Sequence, residues 1–91
     1  MYKQIFVIAK IFYKRKNDAD FVCQLSHNFA GEKDVLGFNN LRNALSWETK
    51  EKANKILAKQ PKWAKESLMV IPVWEFAERK ETRTLYNPHY L

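Results

Sequence analysis

The stretch from Trp47 to Phe76 constrains the fold most, because it holds an amphipathic helix followed by an apolar strand. The side chain of Thr49 can accept a hydrogen bond from the free N–H groups of the first turn. Pro61 ends the helix, since it lacks an N–H and restricts the residue before it. One helical face is apolar: Ala53, Ile56 and Leu57. We therefore predict one principal helix over about 49–60.

The strand that follows, Leu68 to Phe76, is apolar on both alternating faces for most of its length. A strand with this pattern is covered on both sides. Pro72 cannot donate to a sheet ladder, so we expect an edge or a bulge at that position. Residues 61–67 are expected to add one more helical turn that begins at Pro61.

Two more strands are predicted near the N-terminus, over residues 2–13 and 21–27. Their odd positions are apolar and are expected to face the core: Ile5, Val7, Ala9, Ile11, Tyr13, Phe21, Cys23 and Leu25. An odd-length loop would bring the two sets onto one face, with Tyr13 opposite Cys23 and Ile11 opposite Leu25. We predict that helix and strands share one core cluster: Trp47, Ala53, Ile56, Leu57, Ile5, Val7, Ile11, Leu25, Val70 and Val73.

These elements predict a single α+β domain over residues 1–91. Its sheet has three to four mainly antiparallel strands, with the principal helix packed on one face. Residues 28–40 are open to two interpretations, a long loop or an irregular third strand around 34–38. Asn39 or Asn40 is expected to cap a helical turn at 41–44, and residues 77–91 to form a charged and then aromatic C-terminal tail.

Composition favours a basic binding protein of the cytoplasm. The net charge of +6 and the pI near 9.6 favour an acidic partner, although a soluble basic protein without such a partner has the same composition. A single cysteine fits a reducing compartment. No apolar run approaches the roughly 20 residues that span a bilayer.

No catalytic or metal-binding pattern is present in the sequence. Cys23 and His27 would lie about 13 Å apart on a strand that rises roughly 3.3 Å per residue, too far apart to share one zinc ion. No nucleophile stands beside a base, and Gly31 and Gly37 lack the Lys-Ser/Thr pair of a phosphate loop. We therefore expect no enzyme activity, no cofactor and no metal.

Basic residues carry the strongest functional signal. The first candidate surface is the lysine flank of the helix: Lys52, Lys55, Lys59 and Lys62. The second is a group of loop cations, Lys14, Arg15 and Lys16, and the third is a pair of aromatic residues of the tail, Tyr86 and Tyr90. A charge run on a helix is often only a solvated face, and Phe12 can either stack on a base or be covered by the rest of the fold.

The middle of the chain has an ordered set of aromatic, capping and apolar positions: Leu41-x-x-Ala44-x-x-Trp47-x-Thr49-x-Glu51-x-Ala53-x-x-Ile56-Leu57, followed by Val70-Ile71-Pro72-Val73. This layout resembles that of small phage and prophage proteins, in which a hairpin precedes an aromatic residue, a Thr-x-Glu-x-Ala helix and a closing Val-x-Pro-Val-like strand. Lys52 and Lys55 stand where acidic residues are more usual. The resemblance implies the fold above and admits, without singling it out, an inhibitor of host defence such as an anti-CRISPR protein.

The sequence thus favours a small non-enzymatic binding protein of phage or mobile-element type. Its expected partner is an acidic protein or a nucleoprotein complex, which it would bind and modulate. The alternative is a protein that binds nucleic acid directly through the lysine-rich helix flank and the aromatic residues of the sheet.

Overall fold

The computed structural model describes residues 1–11, 20–25 and 36–88. Within these ranges the chain forms five strands, two α-helices and one 3-10 turn: β1 (Tyr2–Lys10), β2 (Phe21–Gln24), β3 (Gly37–Asn39), the 3-10 turn (Leu41–Asn43), α1 (Lys50–Ala58), α2 (Lys62–Ser67), β4 (Leu68–Phe76) and β5 (Arg79–Thr84). The sheet is antiparallel, with the order β3-β2-β1-β4-β5. The α+β class is confirmed, but the prediction of three to four strands and one helix was too low.

The central pair of the sheet joins the two longest strands, β1 and β4. They pair without interruption from Tyr2 opposite Phe76 to Lys10 opposite Leu68. Successive side chains of β1 point to opposite faces, and both faces are apolar in its second half. The two strands therefore give the molecule two apolar layers, one on each side of the sheet.

The single core cluster that we predicted is wrong, because the core divides between the two faces of the sheet. The first cluster lies on the face of the odd-numbered residues of β1. It contains Ile5, Val7, Ala9, Phe21, Ala44, Ile71 and Val73, with Leu41 and Leu85 packed against it. The helices pack instead on the face of the even-numbered residues, where the second cluster lies. It contains Ile8, Val22, Leu36, Ala64 and Leu68, with Trp47, Ile56, Leu57 and Val70 among the partly buried neighbours. Helices α1 and α2 therefore cover the even face of β1 around Ile8.

The predicted register of the first hairpin is also wrong. Ala9 pairs with Phe21, so the odd positions share a face as expected, but Ile11 does not reach Leu25. The strand ends at Lys10, whose N–H donates to the carbonyl of Asp20 over 2.9 Å. Ile11 then turns away from the core and is 44% exposed. The predicted Tyr13–Cys23 pair lies outside the described residues.

An irregularity at Cys23 changes the face on which β2 presents its side chains. Val22 pairs with Phe38 and Gln24 pairs with Gly37, so one residue of β2 is left without an opposite residue. An extra residue of this kind reverses the inward and outward positions beyond it. Leu25 therefore packs with the cluster under the helices and not with the odd-face cluster in which we predicted it.

Pro72 lies at a local edge of the sheet, as predicted. Phe6, opposite Pro72, exchanges both of its backbone hydrogen bonds with Trp47 on the far side of β1. Because backbone groups alternate in direction along a strand, the nitrogen of Pro72 points away from β1. On that side β5 pairs with β4 only from Trp74 onward, so no ladder bond is lost at the proline.

The short helical elements largely follow the predictions. The side chain of Asn40 accepts from the N–H of Asn43 over 3.2 Å and caps the 3-10 turn. Pro61 is the residue before the first turn of α2, and not its first helical residue. The charged residues after Phe76, which we expected to begin a tail, form β5. Among the described residues, no helix is long and apolar enough to span a membrane.

Candidate binding surface

Helix α1 presents the predicted lysine flank to solvent because it is capped at its N-terminus and its apolar face packs on the sheet. Thr49 accepts a hydrogen bond from the N–H of Lys52 over 3.2 Å, and Glu51 lies in the first turn. Ala53 is fully buried, and Ile56 and Leu57 are half-buried over the sheet. The residues that anchor α1 therefore leave its other faces to solvent.

The lysine surface consists of Lys52, Lys55, Lys59 and Lys62, all exposed. At 100° per residue, its first three members lie within an arc of about 60° beside the apolar face. Lys62 lies 4.0 Å from Glu66, one turn later in α2. The other three lysines form no ion pair with any described residue. The structure thus places four cations on adjacent helices with a single acidic neighbour in contact.

Trp63 adds an exposed aromatic ring beside this surface, and our sequence reasoning did not single it out. It follows Lys62 directly in α2 and is 47% exposed, whereas Ala64 is completely buried. The sequence carried a sign of this exposure, because in a short helix whose small residue packs on the core the neighbouring residue lies near the surface. Lys65 is exposed on the same short helix.

The second candidate surface lies outside the described residues, and the third is only partly described. Lys14, Arg15, Lys16 and Tyr90 lie outside the described residues, as does Phe12. Tyr86 follows β5, is 50% exposed, and donates its backbone N–H to the hydroxyl of Thr84 over 3.2 Å.

Lys10, the last residue of β1, makes two local contacts. Its ammonium lies 3.8 Å from a carboxylate oxygen of Asp20 and 4.7 Å from the ring centre of Phe38. These contacts hold Lys10 on the even face of the sheet and satisfy its charge in part. It is therefore less available to a partner than Lys52, Lys55 and Lys59, which form no ion pair with a described residue.

A buried ion pair on the opposite face of the sheet was missed by the sequence analysis. The Nε of Arg83 lies 2.8 Å from Oε2 of Glu75, and both side chains are at least nine-tenths buried. The Nη1 of Arg83 also donates to the carbonyl of Leu41 over 3.0 Å and to that of Ala44 over 2.7 Å. One guanidinium therefore joins β4, β5 and the 3-10 turn.

A cavity of about 340 Å³ opens beside this ion pair. It is lined by residues of both charges and by parts of β1 and the segment before α1: Lys3, Ile5, Ser46, Trp47, Glu48, Glu75 and Arg83. The Nζ of Lys3 lies 4.0 Å from Oε1 of Glu75. Because its charges largely balance, this cavity lacks the single sign of charge that distinguishes the lysine surface.

No group of three or more potential metal ligands occurs among the described residues. Comparison of the chain with family models, curated proteins and solved structures finds no match.

Proposed function

We propose that this protein is a non-enzymatic binding protein that engages an acidic protein or a nucleoprotein complex through the lysine surface. The observation that carries the proposal is the set of four exposed lysines along α1 and α2, three of which have no ion-pair partner among the described residues. A surface of one sign attracts a partner of the opposite sign and speeds the encounter.

The fold does not depend on these lysines. Their side chains lie outside both core clusters, and exposed charges contribute little to stability. The net charge of +6 adds a longer-range attraction toward the same class of partner. The lysine surface is thus available for binding without a cost to the core.

Direct binding of nucleic acid is the second candidate function. The exposed indole of Trp63 beside Lys62 favours it, because aromatic rings among cations are a common platform for unpaired bases. The resemblance to phage proteins extends the main proposal to inhibitors of host defence, of which anti-CRISPR proteins are one class.

The test is a pull-down from a lysate of the native host, with and without nuclease, using the wild type and two variants. The double variant Lys55→Glu and Lys59→Glu should no longer capture the partner, because the surface then carries charges of both signs. The matched control, Lys50→Glu with Arg42→Glu, makes the same change in net charge at exposed positions outside the lysine surface. Equal capture by both variants would refute the proposal.

A further inference from the structure

We propose that the component contacted by the lysine surface is a single-stranded nucleic acid, with a base stacked on Trp63 and phosphates held by Lys55, Lys59 and Lys62. This inference rests on the proposed function and names the chemistry of its partner. The juxtaposition that carries it is an exposed indole that directly follows a member of a lysine row.

Trp63 has the exposure that stacking requires. Of its surface, 47% is open, although the next residue, Ala64, is completely buried and anchors α2 to the sheet. The indole is thus attached to a fixed point of the fold and still exposed to solvent. Bases stack on such rings without regard to their identity, since every base has a π-face.

The type of cation favours phosphate over a protein surface. All six basic residues between positions 50 and 65 are lysines: Lys50, Lys52, Lys55, Lys59, Lys62 and Lys65. Lysine is depleted at protein–protein interfaces, where arginine and aromatic residues are enriched. A compact ammonium group on a flexible stem is well suited to a phosphate, which it meets as a point charge.

The spacing of the lysines suits a flexible backbone. From Lys52 to Lys55 the helix rises about 4.5 Å, and from Lys55 to Lys59 about 6 Å. These lysines are therefore spaced in a row along α1, and Lys62 and Trp63 follow in α2. A row of cations can follow a chain of phosphates from one nucleotide to the next.

A single strand is favoured over a duplex because of Trp63. In a duplex the faces of the bases are stacked on one another and closed to a side chain, whereas unpaired bases can be splayed out onto an aromatic ring. Contacts from lysines to phosphates alone would hold either form. Glu66, 4.0 Å from Lys62, is the nearest acid and opposes binding, so Lys62 must exchange that contact for phosphate.

The experiment measures binding of the full chain to a fluorescent oligothymidine of about 12 nucleotides and to a duplex of equal length, by fluorescence anisotropy. We expect the single strand to bind more tightly, with affinity falling steeply between about 50 and 200 mM salt. Trp63→Ala should weaken binding about tenfold, and Trp63→Phe should restore much of it. Lys55→Glu with Lys59→Glu should weaken it further than the Lys50→Glu and Arg42→Glu control.

Circular dichroism melting of each variant separates lost binding from lost folding, and Trp63→Phe keeps the test valid if Trp63→Ala unfolds. Equal affinity for single strand and duplex would overturn the inference, as would wild-type affinity in a folded Trp63→Ala. If these results occur while the host partner survives nuclease and still requires Lys55 and Lys59, only the inference fails and the proposed function stands. Loss of lysine dependence in both assays refutes the two together.

Discussion

The buried ion pair of Glu75 and Arg83 and the lysine surface on α1 and α2 are both built from charged side chains, but they differ in burial and in pairing. Arg83 is nine-tenths buried, donates to one carboxylate and two carbonyls, and ties three elements of the fold together. The lysines are exposed and, apart from Lys62, form no ion pair with a described residue. Burial therefore separates charges that maintain the structure from charges that are available to a partner.

The largest expected effect tests the buried side of this comparison. Arg83→Met leaves Glu75 buried beside an uncharged side chain and should lower the free energy of unfolding by about 3–5 kcal/mol, because an unpaired buried charge is strongly unfavourable. Urea denaturation would measure the loss. Combining Arg83→Met with Glu75→Leu should recover much of it, since both charges are then removed. A loss well under 1 kcal/mol for the single variant would show that the ion pair is not a structural tie.

A smaller effect is expected at the base of the lysine surface. Thr49→Ala removes the side-chain acceptor for the N–H of Lys52 and should cost about 1 kcal/mol of stability. Thermal unfolding followed by circular dichroism would measure it, with Thr49→Ser as the control that keeps the hydroxyl. If the serine variant is as unstable as the alanine variant, the cap is not the cause.

Lys3 approaches the same carboxylate as Arg83, but from the solvent side. Its ammonium lies 4.0 Å from Glu75, but its side chain is 58% exposed. Lys3→Met should therefore cost no more than about 0.5 kcal/mol, since solvent screens exposed pairs. A loss in urea denaturation comparable to that of Arg83→Met would mean that exposure does not distinguish the two partners.

The smallest effect on stability is expected at the lysine surface itself. Lys55→Glu combined with Lys59→Glu should leave the melting temperature nearly unchanged, because both side chains are exposed and unpaired among the described residues. Differential scanning calorimetry at physiological salt provides the measurement, with the Lys50→Glu and Arg42→Glu variant for comparison. A fall of many degrees confined to the first variant would assign these lysines a structural role.

The sequence predicted those parts of the fold that depend on neighbouring residues. Thr49 caps α1 and Asn40 caps the 3-10 turn, because the acceptor and the free N–H group lie within one turn of each other. The exposure of the lysines followed from the same helical period. In each case, interactions between residues within about one turn were enough for a correct prediction.

The parts that were missed depend on residues distant in the sequence or on a single irregular position. The bulge at Cys23 reverses the face of Leu25, and no property of the residue itself signals a bulge. The tie between Arg83 and Glu75 requires that β5 be recognised as a strand. One clue was present, because an acid inside the apolar strand β4 needs a cationic partner if it is buried.

The pairing of β1 with β4 has a consequence for the order in which the molecule assembles. The first strand of the chain occupies the middle of the sheet, but its long partner ends only at Phe76. During synthesis β1 must therefore remain without its principal neighbour until β4 has been made, and non-local pairing of this kind is slow to form. Helix α1 and the β4–β5 hairpin depend on nearby residues, so they can form first and provide the template onto which the N-terminal strand docks.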